Sequence, residues 1–386
     1  MVRAAHLRTG RNRNMKIGLG LMLLMTAAAI HPFALVGAGN TGNTPQAAAK
    51  DGDRNPVTPC LRITPFEFGA AGDGVADDTK ALQAAVDAAI AKKIALVSPM
   101  SAVYAVSAPI EIRGMLNADF QFAEIRAAAP MPAVLRYDAS PYYTVLRNLR
   151  IDGAMQADIC VSIVNARKLR LDNLVTGRHL KAALKIARGY EVFVQNSHFN
   201  GTDPDRKSND AADNTVGIEI TTSDCHFSDI VIIDCKTAIV NRGFNFYDRI
   251  HAWTAKPSVI NDSVCFDVWS PCIISDSYAD TFQICVRVRR KGIECKLNGC
   301  GAYYNENLYK AKLGHVEPYL FWLDEGDGRG VSLQSSFMRG TGAMAAHYCN
   351  ITNCAVFTDG SSSFVRWQGA PELLKTSADT RLPGKK

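Results

Sequence analysis

The chain reads as an all-β protein, a single-stranded parallel β-helix closed at its N-terminal end by one capping α-helix. Three observations carry that reading. Residues 68–85 run through a glycine-rich turn and a double aspartate into an alanine-rich helical stretch. From about residue 134, short alternating runs recur around a polar residue, usually Asn or Asp. Each unit also has a second short strand upstream of that marker. One-way stacking of such strands gives a solenoid.

In chain order, the first element is a leader. Arg3, Arg8, Arg11, Arg13 and Lys16 precede an apolar run, Ile17 to Ile30, and the small residues Val36-Gly37-Ala38 follow. This pattern predicts a secretory signal over 1–38, with an uncleaved anchor as the alternative. Either places the body outside the cytoplasm, secreted or periplasmic, with no membrane span after signal removal. Residues 39–60, rich in Gly, Asn, Thr, Pro and Ala, read as a flexible linker. The β-helix domain is expected over 61–370 and a flexible tail over 371–386. Hydrophobic residues make up 47% of the 386, enough for a large core. The net charge of +6 is a mild excess, partly in the leader, and it argues for no nucleic-acid partner.

The cap begins as a short apolar strand ending at Phe68. Gly69, Gly72 and Gly74 suit a turn with left-handed backbone angles. Asp77 or Asp78 can accept hydrogen bonds from the free amides of a helix over about 78–91. Ala81, Leu82, Ala85, Val86, Ala89 and Ile90 make its one narrow apolar face. The block resembles the N-terminal signature of the pectate-lyase-like superfamily, in particular its rhamnogalacturonase/epimerase-like members. That resemblance implies a right-handed parallel β-helix (pectin-lyase-like) in which the block caps the solenoid and does no chemistry.

Strands at Ala95–Val97 and Val103–Val106 follow, and then the repeats. Their markers are Asn148, Asn173, Asn196, Asp229, Asp248, Asp276, Gln334 and Asn353. The steps between them are unequal, as a solenoid with variable loops requires. The markers are expected at bends, bonding neighbouring backbone or one another up the stack. The upstream strands are 159–163, 184–186, 218–220, 264–268 and 284–288, alternating apolar and polar at period two. An antiparallel sandwich is the competing fold, with Asp152-Gly153, Asn200-Gly201, Asn298-Gly299 and Asp327-Gly328 as its turn candidates. Eleven cysteines allow disulfides, with Cys265/Cys272, Cys295/Cys300 and Cys349/Cys354 as close pairs, or they stack as small apolar residues in the core. No Cys-x-x-Cys pair with matching histidines suggests a metal centre.

The outward residues of the upstream strands name a candidate site: Ser162, Lys185, Glu219, Asp267 and Arg287, with an uncharged turn around Ile239. Turns stack at about 4.8 Å, so Glu219 and Asp267 would lie roughly 9.6 Å apart at the backbone, the separation of an inverting glycosidase pair. Lys185 and Arg287 could bind a sugar carboxylate, and Trp269 could stack on a ring. A ladder of solvated or mutually paired charges is the plain alternative. The cations between Arg136 and Arg188, including Arg147, Arg150, Arg167, Lys168, Arg170, Arg178, His179, Lys181 and Lys185, would favour an anionic polymer and permit β-elimination, for which calcium is a possible cofactor. The Asp203 to Asp213 insert and the 324–328 loop are oxygen-rich. His198, His226 and His251 sit near markers and are expected to be structural.

The resemblance transfers no catalytic residue. The Asn-Thr-Asp, Gly-His-Gly and Arg-Ile-Lys of polygalacturonases and the Arg-x-Pro-x-x-Arg of calcium-dependent pectate lyases are missing, and the Asp-Asp pair lies in the cap. The expected function is cleavage of a complex, acidic polysaccharide, by hydrolysis ahead of elimination. The alternatives are a glycan-binding surface protein or a phage tailspike-like fibre, monomeric or trimeric.

Overall fold

Period-two alternation puts one set of side chains inside each turn and the other set outside, and stacking of turns gives the inner set its partners. The computed structural model describes residues 61–140, 143–201, 215–254, 262–290 and 293–303, together with short strands between 319 and 357. Every strand pairing among the described residues is parallel. The sandwich is thereby excluded, and Asp152-Gly153 starts a connection to the next strand. The signal, the 39–60 linker, the tail, the 203–213 insert, the 324–328 loop and the Cys349/Cys354 pair lie outside the described residues.

Two sheets form the walls. The ten-stranded sheet takes the upstream strands, among them Ala157–Arg167, Ala182–Ile186, Val216–Ile220, Thr237–Asn241, Val264–Val268 and Ile284–Val288. The nineteen-stranded sheet takes the marker runs and bends at or beside the markers from Asn148 to Asp276. Strand Asn245–Trp253, for example, pairs with both Cys272–Ser275 and Tyr278–Asp280. The bend is a column of left-handed residues, Asn148, Asn173, Asn196, Asp229, Arg249, Asp276 and Gly299, with φ between 45° and 65°. Asn and Asp tolerate that conformation better than most side chains, which accounts for the markers. In the fifth turn the bend falls on Arg249 and the expected marker Asp248 is its neighbour.

The column is partly a ladder. Asn148 Nδ2 donates to Asp119 and Asn173 Nδ2 to Asn148, each at 2.9 Å. Asn196 instead donates to Asp172, and Arg249 makes two 2.7 Å bonds to Asp229. Bending leaves amides without a ladder partner. Leu174 N–H finds the buried Ser197 hydroxyl and Ile250 N–H that of Ser277, both at 3.1 Å.

At the N-terminal end, residues 65–68 form a 3₁₀ turn where a strand was expected. Pro65 fixes φ at the first position, and Glu67 reaches back to the Thr64 amide at 3.0 Å. Gly69, Gly72 and Gly74 all have positive φ. The two aspartates divide their work. Asp77 accepts the Thr79 amide of helix α1 (Thr79–Lys92), whereas buried Asp78 turns back and accepts from Ala71 (2.6 Å) and Gly72 (3.0 Å), closing the glycine turn. Hydrogen bonds from Ser107 and Thr79 hold the Asp77 carboxyl down at about 2. Leu82, Ala85, Val86 and Ala89 of the helix are buried, with Ala81 and Ile90 at the edge of the same face.

Inside, residues of successive turns stack in register, as in Val161, Leu184, Ile218, Ile239, Phe266 and Val286. The described cysteines belong to this core as free thiols, so neither Cys265/Cys272 nor Cys295/Cys300 is bridged. Chain proximity misleads here because the contacts run between turns: Cys272 Sγ lies 3.7 Å from Cys295 Sγ, its register partner. Burial pushes the Cys160 and Cys225 thiols up to about 12, which keeps them unreactive.

One core residue is out of character. His179 is fully buried, and neither ring nitrogen has a hydrogen-bond partner among the described residues. Burial pushes its pKa down to about 4. The imidazole is therefore neutral in the fold, where a surface cation was expected. Its folded pKa lies below the ordinary 6.5, so its stabilising effect is complete above about pH 6.5 and is lost as pH falls toward 4. Urea midpoints of wild type should fall between pH 6.5 and 5, and His179→Gln should flatten that fall.

Candidate functional site

The ten-stranded wall presents one outward residue per turn in strict register. In order the column runs Glu111, Arg136, Ser162, Lys185, Glu219, Val240, Asp267 and Arg287. Lys185, Glu219, Asp267 and Arg287 thus share a wall. Val240 occupies the uncharged rung between the two acids, so the backbone spacing of about 9.6 Å follows from two 4.8 Å steps.

The charges are largely engaged. Lys185 Nζ lies 3.0 Å from Glu219 Oε2, with the Glu219 side chain 24% exposed. Asp267 is nearly covered, its side chain 8% exposed. Arg289 bonds it at 2.5 Å and 3.2 Å, and Trp269 Nε1 donates to its Oδ2 at 2.9 Å. Arg136 bridges Glu111 at 2.8 Å and Asp138 at 3.1 Å. A ladder of partly desolvated opposite charges fixes the wall's side chains in place, which a mobile surface would not do.

A second outward column begins two residues further on, where the strands end. Arg242, Trp269 and Arg289 follow the ends of successive strands, held in step by Trp269 N–H to Asn241 O at 2.8 Å and Arg289 N–H to Val268 O at 2.9 Å. The Trp269 ring meets the guanidinium carbons of Arg242 at 4.4 Å, Arg289 at 5.0 Å and Arg290 at 5.8 Å from its centroid. Sequence reasoning missed Arg242, Arg289 and Arg290. The signal was available, since Asp267 plus two is Trp269 and Arg287 plus two is Arg289.

The expected cationic face between Arg136 and Arg188 is instead largely neutralised. Arg147 pairs with Asp119, Arg178 with Asp152, Lys181 with Asp158 and Lys168 with Glu191, while Arg167 and Arg170 lie over Tyr190 and Phe193. Of the three marker-side histidines, His226 is sandwiched between Phe193 and Phe246, with centroids 5.0 Å and 4.7 Å away, and His251 packs on Tyr278. Among the described residues, no group of three or more His, Cys, Asp or Glu is arranged to hold a metal ion. No helix among them is long and apolar enough to cross a membrane.

Taken together these features define a parallel β-helix with an ordered, charged outer wall. Its likeness to solved structures gives the class: the fold is the right-handed, pectin-lyase-like β-helix with an N-terminal capping helix. An endo-xylogalacturonan hydrolase from Aspergillus tubingensis superposes with a TM-score of 0.52 at 10% identity, over 82% of this chain and 100% of that one. An alginate lyase from Paenibacillus sp. str. FPU-7 gives 0.46 at 11% identity, over 74% and 97%. A tailspike protein of E. coli bacteriophage HK620, solved with a pentasaccharide, gives 0.45 at 8% identity, over 83% and 77%. No protein-family model and no curated protein sequence matches the chain.

Proposed function

We propose that this chain is an exported polysaccharide-active protein whose ten-stranded wall takes an acidic glycan along the stack and cleaves it by hydrolysis. Glu219 and Asp267 are the acid–base pair, Lys185 and Arg287 the cations that receive substrate carboxylates, and Trp269 the aromatic beside them. The observation that carries this reading is the register: two carboxylates on one wall, two turns apart, leave space for a water between them and a glycosidic bond. Arg289 and the Trp269 indole N–H hold the Asp267 carboxylate in place, as a general base must be held. Glu219, paired with Lys185 at 3.0 Å, is assigned the part of the acid.

A second reading is glycan binding without turnover. One observation favours it: both carboxylates are paired with cations of the chain itself. Incubation with a panel of acidic polysaccharides separates the two. New reducing ends without absorbance of an unsaturated uronate indicate hydrolysis, and binding without products indicates the second reading. Glu219→Gln and Asp267→Asn should each lower turnover by about 10²-fold or more while the glycan still binds. Full activity in both variants would remove these residues from the mechanism.

A further inference from the structure

We propose that Arg242, Arg289 and Arg290, gathered around Trp269, form a subsite for an oxyanion, a carboxylate or sulfate, carried on a polysaccharide. The subsite deepens the glycan reading above and rests on it. Three guanidinium groups converge on one indole ring, and the carboxylate among them is that of Asp267. Asp267 bonds Arg289 and the indole N–H, which fixes the ring and one arginine. Arg242 and Arg290 are exposed, and among the described residues neither has a carboxylate partner.

That leaves an excess of positive charge held at one place. Elsewhere on the surface several arginines are answered by carboxylates, as Arg126 is by Glu124, Arg147 by Asp119 and Arg249 by Asp229. Around Trp269, among the described residues, no carboxylate answers Arg242 or Arg290. The ring also shields part of each guanidinium from water, so an arriving oxyanion displaces less solvent there than at an isolated arginine. Guanidinium forks favour planar or multidentate oxyanions. The subsite lies two residues beyond the Val240–Asp267–Arg287 column on the same turns, so an anion bound there would fix the register of a sugar chain against the acid pair. In this arrangement Trp269 positions the arginines.

The test uses the purified protein and calorimetric titration with alginate (carboxylate), dextran sulfate (sulfate) and dextran (neutral). Wild type should bind one or both acidic polymers with salt-dependent affinity, and the polymer preferred identifies the oxyanion. Arg242→Gln/Arg290→Gln should weaken that binding roughly tenfold or more, whereas Arg150→Gln/Arg170→Gln, which removes the same charge from other walls, should change it by about twofold at most. Equal losses in the two variants, or none in the first, would overturn the subsite. If wild type binds no acidic polymer, the polysaccharide reading fails, and sodium sulfate then decides the subsite separately. A rise in melting temperature above a chloride control of equal ionic strength, lost in Arg242→Gln/Arg290→Gln, supports it. An equal rise in both proteins refutes it. Circular dichroism checks that each variant is folded.

Discussion

Asn241→Ala should lower the unfolding free energy by about 3–5 kcal/mol, read as a shift in the urea midpoint at unchanged slope. Asn241 is 1% exposed and stands where neighbouring turns place Ile220 and Val268. Its Nδ2 donates to Ser270 O at 2.9 Å, and its Oδ1 accepts from Asn245 Nδ2 at 2.8 Å and from the Tyr247 hydroxyl at 2.9 Å. Asn245 in turn bonds Cys225 N and Thr222 O, each at 2.9 Å. Truncation would strand a carbonyl and a hydroxyl in a site with no access to water, besides opening a cavity. The cost is dominated by groups left unsatisfied, so removing one of them should help. Tyr247→Phe on the Asn241→Ala background should recover part of the loss, although Tyr247→Phe alone destabilises. Additive losses in that cycle would show that the network is not the cause.

Arg289→Ala should cost about 3–5 kcal/mol as well, because it leaves the covered Asp267 carboxylate without its cation. The pair as a whole is a different matter. Asp267→Leu/Arg289→Leu replaces two desolvated charges by apolar side chains and should fold with stability near wild type, since desolvation offsets much of the pair's attraction. Stability and chemistry separate in this double variant. It should be folded and inactive if Asp267 is the base of a hydrolase. A folded double variant that still releases reducing ends would transfer catalysis to other residues. Thermal melts and product assays on the same preparations decide both points.

The elements were legible because their signals are local. The alternation in Val264–Val268 and Ile284–Val288 reads directly as one face in and one face out, and the structure has strands with those bounds. The glycine turn and the helix are equally local, as is the preference of Asn148, Asn173 and Asn196 for a left-handed bend. Expectations failed where the deciding contact is remote or geometric, and three of them show why. The strand before Gly69 became a 3₁₀ turn once Pro65 and the Thr64–Glu67 contact fixed it. The fifth bend fell one residue late, on Arg249, whose guanidinium reaches Asp229 in the turn below. His179 went inside although its neighbours in sequence are cationic.

What the sequence by itself determined is the direction of each side chain, because strand alternation is a property of the chain alone. That was enough to put Lys185, Glu219, Asp267 and Arg287 on one wall. What only the tertiary structure decided is which charges meet. Asp267 and Arg289 stand 22 residues apart, and Arg136 and Glu111 stand 25 apart. Their contact depends on the length of the intervening turn and on the register it imposes, and loops of unequal length set that register only when the turns stack.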